Sequence, residues 1–70
     1  MTLDEAHELR AGDQLVGLLD DEPRVVLDVI YSDFNSPTIG SQWRLPVLNL
    51  ETGRRESWPN MRLDELERVS

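Results

Sequence analysis

The sequence predicts an all-β domain of about five short antiparallel strands, and three stretches carry that prediction. Arg24–Tyr31 is mostly apolar, contains the β-branched residues Val25, Val26, Val29 and Ile30, and is too short for a typical helix. Turn formers flank it: Asp20-Asp21-Glu22-Pro23 before, Ser32-Asp33-Phe34-Asn35-Ser36-Pro37 after. Gln42–Leu50 alternates Trp43, Leu45 and Val47 at the period of a half-buried strand. Glu51-Thr52-Gly53 then reads as a hairpin loop, Gly53 taking the left-handed position, with Arg54–Trp58 returning antiparallel.

Taken in order, Thr2 and Glu5 have the spacing of a capping box, and Leu3, Ala6 and Leu9 share a helical face. Residues 1–10 are thus open between a short helix and a loosely ordered leader, since isolated helices of this length are marginal in water. Gly12-Asp13 marks a turn, and Gln14–Leu19 reads as the first strand, with Gly17 expected at a bulge or bend. Asp20–Pro23 turns the chain into the central strand Arg24–Tyr31. By period two, Val25, Leu27, Val29 and Tyr31 form its uninterrupted apolar face and are expected in the core; Val26 and Ile30 flank Asp28 on the other face.

Ser32–Gln42 is the longest stretch expected to be irregular, yet it contains Phe34 and Ile39, which a purely solvated loop rarely needs. Pro46 lacks a ladder donor and must face an unpaired side or a bulge. The hairpin loop sets Leu48 opposite Glu56 and Val47 opposite Ser57. Pro59-Asn60 breaks the strand. Residues 61–69 allow two readings: a helix capped by Asn60 with Leu63, Leu66 and Val69 as its stripe, or a tight turn over Leu63–Leu66 followed by a closing strand, Glu67–Val69.

Seventy residues make one domain, 1–70, which buries only about 60% of its unfolded surface and leaves little room for an enclosed substrate cavity. There is no cysteine and one histidine, so disulfides, thiolate chemistry and Cys- or His-rich metal sites are excluded within the chain. No apolar run is long enough to span a bilayer, and the N-terminus is acidic, which predicts a cytoplasmic protein. The net charge is −7, and all seven cations are arginine, a bias that fits a GC-rich bacterial or phage source. Such a chain is repelled by phosphate backbones and anionic membranes, with Arg44, Arg54 and Arg55 the only cations that could cluster.

The layout of Leu9-Arg10-Ala11-Gly12-Asp13-Gln14-Leu15-Val16, Val25–Val29, Trp43–Val47 and a terminal Leu66-Glu67-Arg68-Val69 resembles the SH3-like small β-barrels, closest to the Tudor/KOW type, over residues 9 to 69. That resemblance implies a barrel, and aromatics at strand ends that surround a methylated Lys or Arg by cation–π attraction. Tyr31, Phe34, Trp43 and Trp58 are the chain's aromatics, with Asp33 the nearby carboxylate; the alternative is that Tyr31, Trp43 and Trp58 are simply core. Leu15-Val16-Gly17-Leu18-Leu19 after an N-terminal helix is also similar to the Sm-like fold. The Arg-Gly pair of that family is missing between Trp58 and Ser70, so neither ring assembly nor RNA binding is implied.

The functional expectation is a non-catalytic protein-interaction module that uses the 32–42 loop and the adjacent barrel rim, with Tyr31, Asp33, Phe34, Ile39, Trp43 and Trp58 as partner-binding residues and a protein as the partner. His7 lies beside Glu8 in the leader, no serine sits in a nucleophile elbow, and there is no phosphate loop, so no catalytic residue, cofactor or metal is expected. Adjacent Asp20, Asp21 and Glu22 do not have the spacing of a calcium loop. Two alternatives remain: an acidic decoy whose Asp20-Asp21-Glu22 and Asp64-Glu65-Glu67 imitate phosphates, and a structural subunit paired through strand edges.

Overall fold

The computed structural model of the chain describes residues 1–36 and 40–69, with side chains between 33 and 41 outside the described set. A short helix, α1 (Leu3–His7), precedes six strands: β1 (Gln14–Gly17), β2 (Pro23–Val26), β3 (Tyr31–Ser36), β4 (Gly40–Asn49), β5 (Arg55–Pro59) and β6 (Leu66–Arg68), with a 3-10 helix at Asn60–Glu65. All pairings are antiparallel. The ladder runs β3-β4-β2-β1-β6, and β5 pairs with β4 on its other side. The described strands form an antiparallel sheet that is not closed into a barrel; β5 and β6 are not paired with each other. Six strands therefore replace the expected five.

The expected central strand is two strands. β2 stops at Val26, and β3 starts at Tyr31; both lie along the same edge of β4. Pro46 explains the handover. Leu27 N–H donates to the Pro46 carbonyl at 2.9 Å, but Pro46 has no N–H to return, so the ladder lapses until Tyr31 meets Arg44. The inward face is also the reverse of the expected one. Val26 and Ile30 are buried, whereas Val29 and Tyr31 are exposed and Val25 and Leu27 half-buried. Asp28, between Val26 and Ile30, interrupts the even-numbered face and argues for its facing solvent. Arg24 is in fact buried and paired, and Asp28 lies in the break, where its side chain accepts the Val29 N–H.

Most of the segment expected as a loop is hairpin: Tyr31–Ser36 pairs with Gly40–Arg44, with a register shift between Ser32 and Phe34 that leaves Asp33 unpaired. β1 is shorter than expected, and Leu18 and Leu19 leave the sheet. Gly17 is in register with Leu66. No bulge accounts for it: an added Cβ would run into Asp20 Oδ1 and Arg24 Nη1. The β4–β5 register is one residue from the expected one, Val47 facing Glu56 and Leu48 facing Arg55, because the turn holds Leu50–Gly53 and Asn49 N–H closes it on the Arg54 carbonyl. Gly53 does take a positive φ of 73°.

The core lies between the inner face of the sheet and the two helices. Leu45 and Val47 of β4, Leu15 of β1, Val26 of β2 and Leu66 of β6 meet Ala6, Leu9 and Leu63. The Thr2–Glu5 capping box forms and starts α1. The C-terminal stretch is nearer the turn-plus-strand reading: the 3-10 helix ends at Glu65 and β6 returns beside β1. Asn60 is no N-cap; its Oδ1 accepts the Trp43 N–H at 3.3 Å.

Candidate functional site

Two surfaces offer chemistry. The first is a groove of about 730 Å³ beside β5, toward the β1–β2 and β4–β5 turns, and Arg24 forms its base. Arg24 is inward because β2 pairs it with Asn49 of β4 on the core side. Its fork donates to Asp20 Oδ1 at 3.0 Å and Oδ2 at 2.6 Å, its Nε to Glu56 Oε1 at 2.6 Å, and Nη1 also to the Glu22 carbonyl at 3.1 Å. The guanidinium also lies 5.1 Å from the Trp58 ring centre. Trp58 Nε1 donates to Glu56 Oε1 at 3.0 Å. Asn49, also buried, donates to Glu22 and Glu56 and accepts the N–H groups of Glu51 and Thr52.

The carboxyls respond accordingly. The Arg24 guanidinium, with the Glu22 N–H, holds Asp20 well below the usual carboxylate range. Burial pushes Glu56 up, but hydrogen bonds from Arg24, Trp58 and Asn49 outweigh it and keep it below its ordinary value. Arg62 lies 4.6 Å from the Trp58 ring centre and is paired with Glu65. No buried side-chain polar atom among the described residues lacks a partner. Asp20, Glu22 and Glu56 are answered by Arg24 and Asn49, and Glu65 by Arg62, so the arrangement works as a clamp that ties two turns to β5.

The second surface is the outer face of the sheet. Here Leu27, Tyr31 and Pro46, with Asp28, Arg55, Glu56 and Ser57, line a shallow groove of about 620 Å³. Tyr31 is 45% exposed and Val29, two residues before it, 46%. The 27–30 break that Pro46 imposes is what turns this apolar segment outward.

Of the residues singled out from the sequence, Tyr31 borders this groove. Trp43 is half-buried against the core, its ring edge-on to His7 at 4.7 Å. Trp58 is buried in the Arg24 clamp. Tyr31 pairs with Arg44 and Trp43 with Ser32, so successive residues put Tyr31 on the opposite face from Trp43 and from Trp58, which faces Leu45. The structure does not gather these three into one cage. Asp33 and Phe34 fall on β3 with side chains outside the described set, and Ile39 lies outside the described residues. Sequence reasoning missed the clamp itself. Its signal was an arginine opening an apolar run with an aspartate four residues earlier.

No helix among the described residues is long and apolar enough to cross a membrane. Comparison with profiles of protein families, with curated proteins and with solved structures finds no match to this chain.

Proposed function

We propose that this chain is a non-catalytic protein-interaction module that holds a protein partner on the β3–β4 hairpin and the outer-face groove beside it. The observation that carries this reading is Tyr31: a large aromatic left 45% exposed at the mouth of a groove floored by Pro46. Exposed aromatics in concave sites are the usual anchors of protein interfaces. An SH3-like descent fits the strand plan, in which β1, β2, β4 and β5 follow as neighbours and a 3-10 helix leads β6 back beside β1.

The two alternatives are weaker on physical grounds. A phosphate-mimicking decoy needs a row of free carboxylates, whereas Asp20 and Glu22 pair with Arg24 and Asn49 and Glu65 with Arg62, which leaves Asp21 apart from Asp64 and Glu67. Edge pairing into an assembly is opposed at each free edge: β3 has its irregularity at Asp33, β5 ends in Pro59, and β6 is three residues long with Glu67 and Arg68.

The test is capture of proteins from nuclease-treated bacterial lysate on the immobilised chain, washed at low and then high salt. A partner retained at high salt supports the module, because apolar burial is not screened. Release of all bound protein by salt supports the decoy instead.

A further inference from the structure

Three leucines stand exposed at one end of the sheet, where a soluble domain gains nothing from them. Leu18 and Leu19 are 54% and 82% exposed in the β1–β2 turn, and Leu50 is 52% exposed in the β4–β5 turn. The two turns are neighbours: Leu50 N–H donates to the Pro23 carbonyl at 2.9 Å, and Leu19 and Thr52 border the same groove. None of the three leucines lines the Tyr31 groove, although that groove and the one beside Leu19 share Glu56 and Ser57.

The turns are held rigidly. Asp20, at the heart of the first turn, is fixed by the Arg24 fork and accepts the Glu22 N–H, while Gly17 and Asp21 close the turn by backbone bonds. Leu18 N–H is tied to the Glu65 carbonyl at 2.8 Å, and Asn49 Oδ1 holds the second turn. The leucines are thus displayed on a preorganised frame, which lowers the ordering cost of binding. Around them the charge is negative. Asp20 and Glu22 are balanced in part by Arg24, but Asp21 and Glu51 form no ion pair among the described residues and outnumber Arg54, the one further cation of these turns.

We infer that this end docks a cationic amphipathic segment of a partner protein, with Leu18, Leu19 and Leu50 entering its apolar face and Asp21 and Glu51 meeting its basic flanks. A second copy of the chain does not fit, because symmetric pairing would set the same carboxylates against each other. Nucleic acid and anionic membranes are repelled by the same rim and by the net charge of −7.

The experiment titrates the full chain, labelled for amide NMR, with a soluble helical peptide of leucine and lysine. Shifts should concentrate at residues 18–22 and 50–53. Leu18→Ser with Leu19→Ser, which leaves every charge in place, should weaken binding by about tenfold or more. Asp21→Asn with Glu51→Gln should weaken it by about threefold at low salt and little at high salt. Both sets lie on exposed turns, and single Leu19→Ser substitutes if the double variant unfolds. Tyr31→Ala should leave this binding unchanged, which separates it from the hairpin surface. Shifts spread elsewhere, no binding, or equal affinity of the serine variant would overturn the inference.

Discussion

Arg24 and Glu56, 32 residues apart in sequence, meet through a 2.6 Å hydrogen bond that joins β2 to β5 across the inner face of the sheet. No backbone ladder connects these two strands, since β4 lies between them. The same guanidinium reaches back to Asp20, so one side chain fixes the β1–β2 turn against the second hairpin.

Removing that side chain should be costly. Arg24→Met keeps the apolar volume but leaves Asp20 and Glu56 without their cation. Both carboxylates retain partial access to water, at 41% and 30% of their side chains, so the loss should fall below that of a fully buried pair. About 2–3 kcal/mol is expected, measured by urea unfolding. A change within error would show that the clamp contributes nothing net.

Acid should weaken the same contacts. Asp20 and Glu56 have depressed carboxyl values in the folded chain, so their contribution is present above the unfolded values, about 4, and is lost as pH falls through the lower folded ones. Acidification also relieves the repulsion of a chain at net −7, which acts the other way, so the comparison is with a variant. Glu56→Gln should unfold with a shallower decline below about pH 4 than the wild type. Parallel pH profiles would remove Glu56 from the linkage.

Gly17→Ala should reproduce much of the Arg24 defect without touching a charge. The methyl group would occupy the space of Asp20 Oδ1 and Arg24 Nη1, and the fork must shift or break. About 2 kcal/mol or more is expected, and the Arg24→Met, Gly17→Ala double variant should lose less than the sum. Additive losses would mean that Gly17 acts independently of the clamp.

Asn49→Ala should cost about 1–2 kcal/mol, since its buried amide bridges Glu22 and Glu56 and holds the Glu51 and Thr52 N–H groups. Amide exchange at Leu50–Gly53 should quicken with it; unchanged protection there would contradict its role as the keeper of that turn.

Much of the local structure was legible because local chemistry decides it. The Thr2–Glu5 cap, the positive φ of Gly53 and the Trp43-Leu45-Val47 alternation all form as their residue types require. What failed depends on partners distant in sequence. The face of β2 is inverted because Arg24 finds Glu56 across the sheet, which period two cannot foresee. The strand break at 27–30 is imposed by Pro46, on another strand. The Tyr31 groove follows from that break, which leaves Tyr31 exposed on the opposite face from Trp43 and Trp58.

The central claim is that the hairpin and its outer-face groove hold a protein partner. The most direct measurement compares three immobilised baits in lysate at high salt: the wild type, Tyr31→Ala with Phe34→Ala, and Leu18→Ser with Leu19→Ser, each first shown to unfold cooperatively. The account predicts a protein retained by the wild type and by the leucine variant and lost from the Tyr31/Phe34 variant. The same retention on all three baits, or on none, would contradict it.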